Sequence, residues 1–147
     1  MMYYEKGRFR LGAVSFSLPD RVLIDPEFET EIQNGFELLD PGQRYRVTIQ
    51  GEHSEEDSMT FLTETLVETA FHKVGTVRPI QVNGVQGHSL CYFSGAHDFY
   101  EARFDLPEAD GINCVVVLVK WKKGTLSHES VLKERIVVEL LASLGMN

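Results

Sequence analysis

The chain is poor in cysteine and in positive charge. Two cysteines occur in 147 residues, and 14 Lys and Arg stand against 22 Asp and Glu, for a formal net charge of −8. So few cysteines exclude a disulfide-dense scaffold, and none is needed, because a domain of this length buries roughly 70% of its unfolded surface. Cys91 and Cys114 both lie in apolar, strand-like runs, where a free thiol acts as a small hydrophobe, and a disulfide between them is not implied. The acidic balance opposes attraction to phosphate backbones or anionic lipid, so no nucleic acid is expected as a partner. No segment approaches the ~20 apolar residues that span a bilayer, and "MMYYEKGRFR" lacks the apolar stretch of an export signal. No membrane insertion and a cytoplasmic location are the expectations.

Catalytic motifs are scarce too. No Cys-x-x-Cys, His-x-x-x-His or His-Glu-x-x-His spacing occurs, no Gly-x-Ser-x-Gly elbow, and no glycine-rich loop leading into a helix. "HSLCYFSGAH", residues 88–97, places two histidines around a cysteine. In a strand His88 and Cys91 leave on opposite faces, so they cannot share a metal, and His97 sits beside a turn. The chain is therefore expected to carry no metal and no cofactor. Glu55, Glu56 and Asp57 read as the acidic first turn of a helix. "WKKG", residues 121–124, joins an aromatic to two cations, as an anion site would, but reads rather as the solvated end of the central strand.

What the sequence does have is alternation. "VSFSL" (14–18) predicts a first strand ended by Pro19. "FELL" and "YRVTI" flank Asp40-Pro41-Gly42-Gln43, which suits a type II turn pairing Leu38 with Tyr45 and Phe36 with Val47. A helix is expected from a Ser54 cap through Met59, Leu62, Leu66, Ala70 and Val74, with His72 and Lys73 in its last turn and Gly75 ending it. Asn83-Gly84 then signals a two-residue hairpin setting Val82 against Val85 and Ile80 against Gly87. A Gly-X turn at Gly95 pairs Phe93 with Asp98, Cys91 with Tyr100 and Ser89 with Ala102. That register puts His88 opposite Arg103. "INCVVVLVKW" (112–121) is apolar on both parities, as a central strand covered on both faces would be. Ser127 caps a last helix carrying Val131, Leu132, Ile136, Leu140, Leu141 and Leu144. The order predicts a single α+β domain over residues 1–147, with two main helices on an antiparallel sheet of about six or seven strands.

"RLGAVSFSLPD", "PIQVNGVQGHSLCYF" and the apolar strand feeding a terminal helix together resemble the PsbP/DcrB-like superfamily. The resemblance implies a three-layer α/β/α sandwich and binding rather than catalysis. That group includes a photosystem extrinsic subunit, a Ran-binding protein and bacterial chaperones for type VI secretion effectors, and the chaperone-like branch is nearest in length. The features that match are structural and transfer no functional residue.

The leading expectation is a protein-binding module without catalysis, an adaptor or chaperone for another protein such as a secreted effector. Its binding face would be Gln86, His88, Leu90, Tyr92 and Phe99, where aromatics alternate with polar groups. The competing reading makes Leu90, Tyr92 and Phe99 core beneath the second helix. A second class is a carrier of a small hydrophobic ligand or lipid, with a cleft between helix and sheet lined by Phe61, Phe71, Tyr92 or Tyr100. A third is an enzyme using His88, Arg103 and Glu101. An open sheet also has edges that a homodimer would pair.

Overall fold

The computed structural model describes residues 3–5, 8–24, 34–66 and 72–147. In chain order the strands are Tyr3–Glu5 (β1), Arg8–Leu11 (β2), Val14–Phe16 (β3), Leu23–Ile24 (β4), Gly35–Leu39 (β5), Tyr45–Glu52 (β6), His72–Val82 (β7), Val85–Ser94 (β8), His97–Ala109 (β9), Ile112–Lys122 (β10) and Gly145–Met146 (β11). The helices are short. Ser58–Thr60 (α1) runs on as a wider π-helical turn over Phe61–Thr65, and His128–Val131 (α2) and Arg135–Ser143 (α3) follow β10. Strands pair antiparallel into a seven-stranded sheet of order β4-β5-β6-β10-β9-β8-β7 and a four-stranded sheet of order β1-β2-β3-β11. The fold is sheet-rich α+β.

β10 occupies the middle of the large sheet, as its doubly apolar pattern requires. Val115, Val117, Val119 and Trp121 face a main core shared with Leu38, Val47, Ile49 and Phe104, with Leu11, Val14 and Phe16 of the small sheet, and with Val131, Ile136, Val137, Leu140 and Leu144 around α2 and α3. On its opposite face Leu118 packs against a smaller cluster in which Leu62 and Leu66 cover Leu90 and Tyr92. Each such side chain taken fully out of water contributes ~1.5–3 kcal/mol. The helical segment is thus held by two leucines on one side of the sheet, and the small sheet and later helices by the larger core on the other.

The hairpins follow the expected register. Val82 pairs with Val85 and Ile80 with Gly87 across Asn83-Gly84, whose φ values of 50° and 82° form a primed turn. Phe93–Asp98, Cys91–Tyr100, Ser89–Ala102 and His88–Arg103 are also partners. Gly87 is a close-approach site, since a Cβ there would lie 2.0 Å from the Arg103 carbonyl oxygen.

Five local expectations are corrected. The helix begins at Asp57, whose carboxylate accepts the Thr60 N–H at 2.8 Å, whereas Ser54 bonds within its own loop to Glu56. It does not reach Val74: His72, Lys73 and Val74 belong to β7 and pair with Phe93, Tyr92 and Cys91. Ala70 and Phe71 lie outside the described residues. Gly75, at φ 83°, serves a bulge in which Gly75, Thr76 and Val77 face Leu90 alone, so its left-handed conformation belongs to a strand. The Asp40 loop is not type II. Gln43, not Gly42, takes the positive φ of 56°, and the register moves by two residues to Leu38–Val47 and Phe36–Ile49. The last helix is capped by Ser127 through a reciprocal bond with Ser130, but it breaks at residues 132–134, so Leu132 is exposed.

The Asp40 loop and the helix break are tied together. The Asp40 carboxylate accepts the Arg44 backbone N–H at 3.1 Å and its Nε at 3.0 Å, and Arg44 Nη1 reaches Glu134, the residue preceding α3, at 2.7 Å. Burial alone would raise the Asp40 pKa, but the Arg44 bonds outweigh it and hold the carboxyl below the usual aspartate range. A folded-state value below the unfolded one means stability that is complete above the ordinary aspartate range and lost as pH falls through the lowered value. Asp40→Asn is accordingly expected to cost ~1–2 kcal/mol near neutral pH. In urea titrations at a series of pH values, the gap between variant and wild type should close as the solution becomes acid.

Candidate functional site

The face of the large sheet opposite the main core carries most of the polar chemistry. Period-two alternation delivers Glu52 and Arg46 from β6, Lys120 and Lys122 from β10, Phe99, Glu101 and Arg103 from β9, and His88, Leu90 and Tyr92 from β8 to one side. The helical segment divides this face into a covered half and an open half.

In the covered half, Glu101 and Arg103 are buried polar residues at 5% and 3% exposure. Tyr92 Oη donates to Glu101 Oε1 at 2.8 Å, Arg103 Nη1 donates to Glu101 Oε2 at 3.1 Å, and Arg103 Nη2 donates to Glu52. The Arg103 guanidinium lies 3.6 Å from the centroid of the Phe61 ring, which closes over it from the helical segment. Burial, followed by the Glu101 charge, raises the Tyr92 hydroxyl pKa far above its ordinary value, so it stays a donor. Burial pushes the neighbouring Cys114 thiol up to about 12, against the opposing pull of Arg103. A thiol at that value is a poor nucleophile.

Beside this network Ser58, His88 and Asp105 meet. The buried Ser58 hydroxyl donates to Asp105 Oδ2 and lies 2.8 Å from His88 Nδ1, and the Ser58 N–H donates to Asp105 Oδ1 at 2.8 Å. These are the residue types of a nucleophilic triad in another order. In a triad the imidazole stands between serine and carboxylate and takes the serine proton; here serine stands between, and its proton goes to the carboxylate. The hydroxyl is also enclosed, at 1% residue exposure. The arrangement fastens the first turn of α1 to β8 and β9.

The residues singled out in the sequence therefore separate. Leu90 and Tyr92 are buried beneath the first helical segment, not the second helix, and Phe99 is half-buried and stacked on Tyr92 with ring centroids 4.9 Å apart. Gln86 is exposed and His88 half-buried beside a shallow pocket also lined by Asp105. His88, Arg103 and Glu101 share the face, but Arg103 and Glu101 are committed to each other. Phe61 and Tyr92 belong to this side, whereas Tyr100 faces the other, so they line no common cleft.

The open half joins one lysine of "WKKG", Lys122, to Arg46, which the sequence keeps far apart from it. Lys120 pairs with Arg46 in register and Lys122 with His97, and with Thr48, Gln50, Leu118 and Glu37 they border a groove of about 620 Å³. Arg46 is bridged to Glu37 at 2.7 Å, and Lys120 Nζ lies 6.0 Å from the centroid of Phe99. The result is a cationic strip with half-buried apolar residues, Leu118 and Phe99, at its inner border. The sequence signal was the shared parity of Leu118, Lys120 and Lys122 in "LVKWKK" and of Arg46, Thr48 and Gln50 in "YRVTIQ", divided by more than sixty residues of chain.

Among the described residues no group of three or more His, Cys, Asp or Glu is placed to hold a metal ion, and no helix is long and apolar enough to cross a membrane. Arg103→Leu is expected to cost ~3–5 kcal/mol, because it leaves Glu101 buried and unpaired. Chemical denaturation of that variant beside Glu101→Leu/Arg103→Leu should show the double variant recovering much of the loss. No protein-family model matches the chain, and no curated protein matches it significantly.

Proposed function

We infer that this protein is a binding module without catalysis that holds an acidic, partly apolar segment of another protein on the open half of its large sheet. The observation that carries this reading is the concentration of Arg46, Lys120 and Lys122 beside Leu118 and Phe99 in a chain whose net charge is −8. Positive charge is scarce overall, and grouping it on one strip gives a field that selects for an acidic partner and speeds encounter. The apolar border supplies surface for water to leave, and the antiparallel sheet beneath fixes the spacing of the cations.

The reading agrees with what the PsbP/DcrB-like resemblance implies, an adaptor or chaperone for another protein such as a secreted effector, and it moves the site. Of the five residues first placed on the binding face, Phe99 borders the groove, and Leu90 and Tyr92 serve as the floor under Leu62 and Leu66. The polar groups in the covered half mostly bond one another, so the role assigned to His88, Glu101, Arg103 and Ser58 is to anchor the helical segment over that half of the face.

A synthetic amphipathic peptide of alternating Glu and Leu should bind, and its Lys-for-Glu counterpart should not. Lys120 and Lys122 are exposed, so Lys120→Glu/Lys122→Glu should leave the denaturation midpoint nearly unchanged. It should weaken the acidic peptide about tenfold, at ~0.5–1 kcal/mol for each exposed pair, with a reduced salt dependence. Equal affinity for both peptides, or indifference to the charge reversal, would overturn the reading.

A further inference from the structure

The other side of the sheet holds a second, unrelated concavity. Where the β7 bulge lets Gly75, Thr76 and Val77 face Leu90 alone, the edge of the sheet opens, and α2 stands across the gap. Between them is a cavity of about 650 Å³, within the ~300–1,000 Å³ range of small-molecule sites. Its walls are mainly apolar, with Val74, Ile80, Cys91 and Tyr100 from the sheet and Leu132 from the end of α2. Val74 and Leu132 are 41% and 37% exposed, although each has an apolar cavity beside it to fill. The bulge and the helix break at residues 132–134 are the two irregularities that create this opening.

The charges select the ligand. Arg78 and Glu129 line the cavity from opposite sides. Glu129 belongs to an ion pair with Lys133 at 3.7 Å and is largely exposed, while among the described residues Arg78 has no carboxylate partner. Arg78 is near enough to Cys91 for its charge to oppose the effect of burial, which raises the Cys91 thiol pKa. His128, also in the lining, has its Nε2 buried without a hydrogen-bonding partner. One unpaired guanidinium at the sheet edge, an acidic group on the helix side and an apolar interior between them define a polarity: an anionic head at Arg78 and a hydrocarbon body along Ile80, Tyr100 and Leu132.

We propose that this cavity is a binding site for an amphipathic monocarboxylate of medium chain length, with its head on Arg78 and its tail between the bulged edge of the large sheet and α2. A guanidinium holds a carboxylate bidentately, whereas a neutral hydroxyl head accepts at most a single bond there and a cationic head is repelled by Arg78, with Glu129 already paired to Lys133. The site stands on different residues from the cationic groove and on the opposite face of the sheet.

Cys91 makes the test direct, because it lines the cavity and is half-buried, whereas Cys114 is buried under the polar network on the other face. Iodoacetamide labelling, read by intact mass and peptide mapping, would be followed on the wild-type chain with decanoate, decanol or decyltrimethylammonium. Concentrations stay below micelle formation and within the range where Cys114 remains unlabelled, which reports an intact fold. Decanoate near ten times its dissociation constant is expected to slow Cys91 labelling about tenfold by occupancy, with decanol weaker and the cation without effect. Arg78→Gln, an exposed substitution, should weaken decanoate about tenfold, to the level of decanol, and leave decanol unchanged. Isothermal calorimetry of Arg78→Lys should recover part of the affinity. No protection by decanoate, or equal protection by all three heads, would overturn the proposal, as would an Arg78→Gln variant that binds decanoate like wild type.

Discussion

The pairing of β10 with β6 on one side and β9 on the other is the constraint on which the rest of the molecule depends. A strand that is apolar on both parities must be covered twice, and the two coverings here are different in kind. Val115, Val117, Val119 and Trp121 are covered by a second sheet and two helices that together exclude water completely. On the other side Cys114, Val116 and Leu118 need cover, and a short helical segment held by Leu62 and Leu66 supplies part of it. That inequality sets the distribution of function. The thick side can afford a cavity only at its margin, where β7 bulges, and the thin side leaves a stretch of sheet open along β6 and β10.

The buried polar network follows from the same geometry. Alternation in β9 puts Glu101 and Arg103 on the thin side, where the segment carrying Phe61 and Leu62 must lie over them. A lone carboxylate or guanidinium in that position would be costly, but the two face each other, with Tyr92 and Glu52 taking further valences. Ser58 and Asp105 perform a similar service at the start of α1, where a backbone N–H would otherwise lack an acceptor. The segment is then placed by directional bonds at one end and by two leucines at the other, which fits a short helix with little stability of its own.

Legibility from the sequence tracked the range of the interactions. The β7–β8 and β8–β9 registers could be read because Asn83-Gly84 and Gly95 fix each turn within two residues, and β10 because its composition alone demands two covered faces. The helix was overextended because Ala70 and Val74 continue the spacing of Met59, Leu62 and Leu66, while the bulge at Gly75 hides the alternation of β7. The small sheet was mostly missed: Arg8–Leu11 was not distinguished from its surroundings, and Gly145–Met146 pairs with Val14 and Ser15 across nearly the whole chain. The cationic groove and the Ser58–His88–Asp105 contact are likewise products of distant segments: the parity of each strand is local, but their juxtaposition is not.

The two candidate sites are separated by the sheet itself, and their charges reinforce that separation. Lys120 and Lys122 point to one side of β10, and Arg78 lies on the side of β7 that faces the main core, with β8 and β9 between. Beyond about one Debye length, ~8 Å at physiological salt, exposed charges act independently, so an anion at one site is not felt directly at the other. Coupling between them would have to pass through β8, where Leu90 lies under the helical segment on one face and its neighbour Cys91 lines the cavity on the other. The bulge opposite Leu90 is the only break among the described residues in the β7–β8 pairing. A ligand that filled the cavity would therefore press on the one point of that ladder with room to give, directly behind the cluster in which Leu62 and Leu66 cover Leu90 and Tyr92.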